Sequence, residues 1–183
     1  MTAPAVTKRP ALFLVPLAVG AVVAVALGVY GKTHTPTGKA LFHQPFPSMF
    51  AMKVWLTAAA LVFALVQLLT ALRMYGKLGS GRAPGWVGPL HRTSGLIAFL
   101  LTVPVALHCL WALGFQSTDG RVLAHSLLGC VFYGAFVTKI LTLHSRRLPG
   151  WALPWAGGAL FTALVAVGAT SAVWYFATIG VPS

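Results

Sequence analysis

The sequence has 183 residues, of which 58% are hydrophobic and 8% are charged, and its formal net charge is +12. So few charged residues cannot cover the surface of a soluble globule, which excludes a water-soluble domain and predicts an all-α integral membrane bundle. The positive charge would favour nucleic acid in a soluble protein. Here most of the basic residues lie at the ends of apolar segments rather than along one folded face, so we expect no nucleic-acid partner.

Five apolar stretches approach or exceed the roughly 20 residues that cross a hydrocarbon core of about 30 Å. They cover residues 11–30, 50–72, 93–114, 122–143 and 152–178. The first is a plain Val/Ala/Leu segment, and its length and its poor cleavage site favour a retained, lipid-facing anchor over a signal peptide. The linkers are short and rich in Gly, Pro, Lys and Arg, so residues 1–183 form a single transmembrane domain.

The second, third and fourth spans carry a few polar or reactive side chains in their interiors. Gln67 is the only strongly polar residue inside the second span, and we expect it to face the bundle and form hydrogen bonds there. Cys109 and Cys130 lie within the third and fourth spans. We interpret both as small buried hydrophobic residues rather than as a structural disulfide.

A short motif is repeated before the third and fifth spans. It reads Arg-Ala-Pro-Gly-Trp-Val-Gly-Pro at residues 82–89 and Arg-Leu-Pro-Gly-Trp-Ala-Leu-Pro at residues 147–154. Pro-Gly favours a turn, Trp favours the membrane interface, and the last Pro suits the first turn of a helix. The motif therefore predicts a turn that leads into a helix, and a duplicated hairpin is the alternative interpretation.

Most basic residues fall on one side of the membrane if the five spans alternate in direction. That side holds Lys8, Arg9, Arg73, Lys77, Arg82, Arg92, Arg146 and Arg147, and the other holds Lys32, Lys39, Lys53 and Arg121. The positive-inside rule then predicts a cytoplasmic N-terminus and an outer C-terminus in the cell membrane. The only carboxylate side chain belongs to Asp119, in an outer loop. The spans therefore offer no Asp or Glu for a proton or cation pathway.

Four of the six histidines lie on the third and fourth spans, namely His91, His108, His125 and His144. Ionisable residues inside a membrane are costly and usually functional, and imidazole is a common axial ligand of haem iron. Because consecutive spans run antiparallel, His91 should lie level with His144 on the inner side, and His108 nearly level with His125 on the outer side. The two levels predict sites for one or two b-type haems.

The surroundings of the two pairs differ. Apolar sequence flanks His108 and His125, which favours the outer pair as haem ligands, whereas His91 and His144 lie next to arginines and have the more ordinary character of interfacial residues. A helix turns about 100° per residue, so neither helix places both of its histidines on one stripe. The spacing permits two sites without requiring them.

Small and basic residues near the histidines fit a flat anionic cofactor. Gly95 follows His91 by one turn and Gly129 follows His125 by one turn, which leaves room for a macrocycle, although small residues also promote helix packing. Haem propionates would pair with basic residues at the two faces. Those candidates are Arg92, Arg146 and Arg147 on the inner face and Arg121 on the outer face. Lipid phosphate is the alternative partner for the same cations.

The stretch Pro-Leu-His-Arg-Thr-Ser-Gly-Leu-Ile-Ala-Phe at residues 89–99, followed by His108 and His125, resembles the cytochrome b561-like and ferric-reductase-like membrane cytochromes. The whole chain also resembles a small actinobacterial membrane family. The first resemblance covers about spans two to five and implies b-type haem held by histidines between antiparallel helices. In this chain all four candidates lie on two adjacent spans with unequal spacing, which leaves the pairing and the haem count open.

The leading hypothesis is a membrane cytochrome b subunit that passes electrons from a quinol or a cytoplasmic donor to an acceptor at the outer face. The sequence has no Cys-x-x-Cys-His motif, P-loop or Rossmann fingerprint, so redox partner subunits of the iron–sulfur or cytochrome c type would supply the rest of the chemistry. The main alternative is a haem-free accessory or anchoring subunit of a respiratory complex. A small-molecule transporter is a third hypothesis, although no paired inverted repeats support it.

Overall fold

The computed structural model describes residues 9–182, and all regular structure within that range is helical. The helices are α1 (Leu14–Thr33), α2 (Met49–Met74), α3 (Val87–His108), α4 (Gly120–His144), α5 (Ala152–Gly168) and α6 (Trp174–Thr178). A 3₁₀ turn, Pro10–Phe13, precedes α1, and π-helical turns extend α3 over Cys109–Leu113 and join α5 to α6 over Ala169–Val173. Lys8 lies outside the described residues.

Five of these helical segments are long and apolar enough to cross a membrane, which confirms the predicted all-α bundle of five spans. They are Pro10–Thr33, Met49–Met74, Val87–Leu113, Gly120–His144 and Ala152–Thr178. The third span begins at Val87, six residues before the predicted start. His91 and Arg92 therefore lie one turn inside the span.

The repeated motif forms the same turn at both of its positions. Trp86 and Trp151 have nearly identical backbone angles, φ −75° with ψ −18° and φ −75° with ψ −20°. In each copy the amide after the Trp donates to the carbonyl of the motif's first proline, at 3.1 Å. Both tryptophans are exposed at the start of their helices, α3 and α5. The predicted turn into a helix is confirmed, and Pro89 and Pro154 lie in the first helical turn.

The two ends of the bundle differ in charge and in the length of the segments that lie over them. We call the end with residues 75–86 and 145–151 the basic end, and the end with residues 34–48 and 114–119 the loop end. α3 packs on α2, α4 packs on both α1 and α5, and α2 also contacts α5. The four helices α2 to α5 thus form a bundle, with α1 outside it against α4.

Helices α3 and α4 meet through side chains and not through close backbones. The Phe99 ring stacks on Phe136 with centroids 3.7 Å apart, and the Tyr133 hydroxyl donates to the Thr102 carbonyl oxygen at 3.0 Å. These long side chains keep the two helix axes apart. The contact between α3 and α4 therefore depends on these aromatic side chains.

Helix α1 exposes most of its large apolar side chains, as expected of a lipid-facing anchor, and one face of it also packs closely on α4. Gly20 lies directly against the backbone of Gly134, and the Thr138 hydroxyl on α4 lies within 3.2 Å of the Pro16 carbonyl oxygen. Small residues let the two backbones approach, which is how membrane helices gain packing energy without a hydrophobic driving force. Between Leu14 and Val29 the sequence of α1 has no polar residue, so only the small residues Gly20 and Gly134 could have indicated this close contact.

The segment 34–48 folds over the loop end of α3. The amides of Thr37 and Gly38 donate to the carbonyls of Trp111 and Ala112 at 3.3 and 3.0 Å. These carbonyls belong to the π-helical turn at the end of the span, where backbone acceptors have no helical partner. The His34 ring also stacks on Trp111 with centroids 4.8 Å apart. The segment is thereby fixed to the third span.

Candidate functional site

In all four candidate histidines, Nδ1 lies within hydrogen-bond distance of an oxygen atom. The rings of His108 and His144 contact carbonyls of their own helix, at Pro104 (2.7 Å) and Ile140 (2.8 Å). The partners of His91 and His125 are threonine hydroxyls that themselves donate to backbone carbonyls. Each Nδ1 therefore carries the proton, and the lone pair lies at Nε2. This is the orientation that a metal-binding histidine requires.

His91 and His144 occupy corresponding positions on α3 and α4. Each lies about three helical turns toward the basic end from the hydrogen bond between Thr102 and Tyr133. At about 100° per residue, His91 lies within roughly 20° of the stripe of Thr102 on α3, and His144 lies within roughly 20° of the stripe of Tyr133 on α4. The two histidines are thus level and on facing stripes. The structure agrees with the predicted equal depth of His91 and His144, and it also places both histidines on the sides of α3 and α4 that face each other.

The environment of His91 is polar and ordered. Its Nδ1 donates to the Thr70 hydroxyl of α2 at 2.9 Å, and its backbone carbonyl accepts the Gln67 amide. Gln67 also donates to the Ser94 hydroxyl at 2.9 Å, so the expected hydrogen bonding of Gln67 within the bundle is confirmed. Lys139 of α4 is half-buried and lies within electrostatic range of the His91 ring. His144, by contrast, is exposed.

His108 lies in a different setting from the one expected of a haem ligand. It is fully buried, and its Nε2 accepts the backbone amides of Leu41 and Phe42 at 3.2 and 3.3 Å. The Phe42 ring packs edge-on against the imidazole with centroids 4.8 Å apart. Both ring nitrogens therefore bond to backbone groups. His108 holds the segment 34–48 in place.

A cavity of about 380 Å³ occupies the loop end of the bundle. Its walls come from all five spans and include both π-helical turns, through Cys109 and Leu113 on one and Thr170 and Ala172 on the other. Such turns are rare and often lie at functional sites, because they redirect side chains within a helix. A cavity of this size can hold a small ligand or part of a larger one.

The polar groups of this cavity cluster around His125. The Nδ1 of His125 donates to the Thr170 hydroxyl at 3.2 Å, which leaves Nε2 toward the cavity. Arg121 donates to the Thr170 carbonyl at 2.8 Å and its guanidinium lies 3.7 Å from the Trp174 ring centroid. Lys53 lines the opposite wall, near the Cys109 thiol. The cavity thus presents two cations and one imidazole, with the Cys109 thiol in hydrogen-bond contact with Lys53 and His125.

The remaining predicted residues lie in three different settings. Gly129 lines the cavity, and a Cβ there would meet nothing within 4 Å, which agrees with the space expected at this position. Gly95 leaves room for the Gln67 amide instead of a macrocycle, since a Cβ would lie 2.9 Å from that amide's oxygen. Arg92 and Arg146 are exposed at the basic end. Both cysteine thiols are free and line the cavity.

Several site residues escaped the sequence argument. Lys139 lies within an apolar run, and a lysine inside a span is by itself an indication of a functional position. Thr70 and Thr170 were missed because threonine is common in membrane helices, and nothing in the sequence shows that a histidine faces it. Lys53 was assigned to the membrane edge, yet it lines the cavity.

Five apolar spans joined by short segments define a multi-pass helical membrane protein. Residues 12–183 match a family of unknown function (DUF6529), and the chain belongs to that family. No curated protein and no solved structure matches the chain.

Proposed function

We propose that this protein is a b-type cytochrome subunit of the cell membrane, with one haem held by His91 and His144 between α3 and α4. The observation that supports this most is the placement of the two rings, level and on facing stripes of helices whose axes are held apart by Phe99 and Phe136. The likeness of residues 89–99 to cytochrome b561-like and ferric-reductase-like proteins points to the same chemistry.

The residues around His91 and His144 have the chemistry that a haem requires. Thr70 and the Ile140 carbonyl fix the two rings by accepting from Nδ1, so that both Nε2 lone pairs are ready to bind iron. Lys139 adds a positive charge near the ring of His91, and Arg92 and Arg146 add two more at the basic end, where haem carboxylates would need them. Haem bound here would carry one electron at a time within the membrane.

A second haem at the loop end receives less support. For His108 to bind iron, its Nε2 would have to give up the amides of Leu41 and Phe42, and the segment 34–48 would have to leave. Of the two outer histidines only His125 lines the cavity, and its ring contacts Thr170 and the Cys109 thiol. The structure therefore favours the inner pair over the outer pair, the reverse of the preference that the flanking sequence gave.

The proposed subunit needs partners, because the chain carries no recognisable flavin or nicotinamide module. Proteins of the iron–sulfur or cytochrome c type, with quinone as a possible membrane-soluble carrier, would complete a path for electrons. In this arrangement the surrounding bilayer is the solvent, and the basic end favours anionic lipid headgroups.

The experiment is a reduced-minus-oxidised absorption spectrum of the purified protein, with haem counted by pyridine haemochrome. We expect b-type bands and about one haem per chain. His91→Ala and His144→Ala should each abolish the low-spin bands, whereas His43→Ala, in the segment 34–48, should keep them. A wild-type protein without b-type bands, or one whose bands depend on His125 and not on His91, would contradict the proposal.

A haem-free accessory subunit of a respiratory complex is the second candidate, and the double backbone contact of His108 favours it. In that case the histidines act as hydrogen-bonding residues between segments. His108→Ala would then disturb assembly with partner subunits, and no histidine variant would have a spectral consequence. Co-purification of partners with each variant, read beside the spectra, separates the two candidates.

A further inference from the structure

The loop-end cavity carries positive charge that no carboxylate side chain within residues 9–182 balances. Lys53 and Arg121 both line it. The only carboxylate side chain in the sequence is Asp119, and its oxygen accepts the Val122 amide at 2.9 Å as the cap of α4. Two cations that line one cavity inside a membrane bundle are costly without a counter-charge. This imbalance points to a ligand that supplies negative charge.

The two cations also have donors to spare. The Arg121 guanidinium has five N–H groups, of which one donates to the Thr170 carbonyl, and its face is stacked on Trp174. The Lys53 ammonium lies 5.5 Å from the Phe50 ring centroid and has three donors, one of which is directed to the Cys109 thiol. These donors converge on a cavity whose other polar groups include the Tyr133 and Ser126 hydroxyls. An acid group with two or three oxygens fits this donor set.

The rest of the wall is apolar. Leucine, valine and aromatic side chains from all five spans make up most of it, including Leu27, Val54, Val105, Leu110 and Val167. A bare inorganic anion would leave this surface without a partner. The walls therefore match a molecule that has both an acidic head and an apolar body.

We propose that the loop-end cavity binds an anionic amphiphile, with a carboxylate or phosphate head between Lys53 and Arg121 and an apolar body along the cavity wall. The site is independent of the haem proposed at the basic end. A lipid of the surrounding bilayer and a free acid from outside would present the same chemistry, and the test distinguishes these sources.

Cys109 provides a reporter inside the cavity. In a Cys130→Ala chain it is the only cysteine, and its rate of alkylation by N-ethylmaleimide is followed by mass spectrometry. In neutral detergent micelles, dodecanoate and dodecyl phosphate should slow the alkylation saturably, whereas dodecanol should not. Lys53→Met should raise the half-protecting concentration roughly tenfold, as expected for the loss of one charge-assisted contact. Arg121→Gln should do the same.

The matched control is Lys32→Met, which removes a cation that is exposed at the same end and does not line the cavity. It should leave the half-protecting concentration unchanged. Equilibrium dialysis of radiolabelled dodecanoate on the same variants gives a second readout that does not depend on thiol reactivity. The absorbance of each sample reports on haem separately, so the two proposals can fail independently.

Nanodiscs identify the source of the ligand. Protection by phosphatidylglycerol nanodiscs alone would identify a bilayer lipid, whereas protection by dodecanoate added to phosphatidylcholine nanodiscs would identify a free acid. Equal protection by dodecanol and dodecanoate would overturn the proposal, as would dodecanoate binding that Lys53→Met and Arg121→Gln leave unchanged. Protection that rises and falls with haem content would overturn it as well, because the occupant would then be the cofactor.

Discussion

Histidine placement depends on two separate properties, depth along the helix and the direction of the ring. Depth follows from residue count, so the level of His91 with His144 could be predicted. Direction depends on what the neighbouring segments present, and for His108 this is a pair of amides from residues 41 and 42. These residues are far away in sequence, and no periodic pattern marks them as partners of a histidine.

At this scale we predict that His108→Ala destabilises the fold by roughly 2–4 kcal/mol. The variant leaves two backbone amides without an acceptor and opens a cavity at a fully buried position. Unfolding in mixed micelles, followed by circular dichroism, measures the loss. Gln44→Ala, an exposed change in the same segment, should remain within about 0.5 kcal/mol of the parent. An equal effect of both changes would contradict the assigned role of His108.

The number of spans and the turns that lead into α3 and α5 were the most predictable features, whereas the start of the third span was placed six residues too late. The repeated motif fixed the starts of α3 and α5, because Pro-Gly and Trp act locally and produce the same turn twice. The π-helical turns at Cys109–Leu113 and Ala169–Val173 were not predicted. They come from the packing of whole helices and the covering segment 34–48, and neither has a local sequence signature.

The contact between α1 and α4 leads to a prediction about elements. Gly20→Ala should destabilise the protein by about 1–3 kcal/mol, since a Cβ would collide with the Gly134 carbonyl and the Thr138 hydroxyl. Gly28→Ala on the same helix is the matched control, because its Cβ would make only an ordinary contact, 3.8 Å from the Cys130 sulfur. The two variants are compared by unfolding in micelles. Similar stability of the two would mean that α1 does not pack on α4 in this way.

The whole molecule is a membrane bundle with strongly unequal ends. Composition alone was sufficient to predict a membrane protein, because a chain with 8% charged residues has to place its apolar surface in lipid. Which helices are neighbours was harder to foresee. The sequence argument paired α3 with α4. In the structure the backbone of α3 packs mainly on α2, and that of α4 packs mainly on α1 and α5.

The unequal ends predict a topology. In a chain without cysteine, obtained by replacing Cys109 and Cys130 with Ala, Ser80→Cys lies at the basic end and Ser117→Cys at the loop end. A membrane-impermeant maleimide applied to right-side-out vesicles should label Ser117→Cys and spare Ser80→Cys until the vesicles are opened, because the positive-inside rule places the basic end in the cytoplasm. Labelling of Ser80→Cys in sealed vesicles would reverse this orientation.

The central claim, a haem between His91 and His144, is tested most directly by chemical rescue of an axial ligand. The measurement is the reduced-minus-oxidised spectrum of purified His91→Gly protein before and after imidazole is added. We expect the variant to lose the low-spin b-type bands and imidazole to restore them, since it can occupy the space that the side chain leaves. An unchanged spectrum in His91→Gly, or a wild-type protein with no haem bands, would contradict the claim.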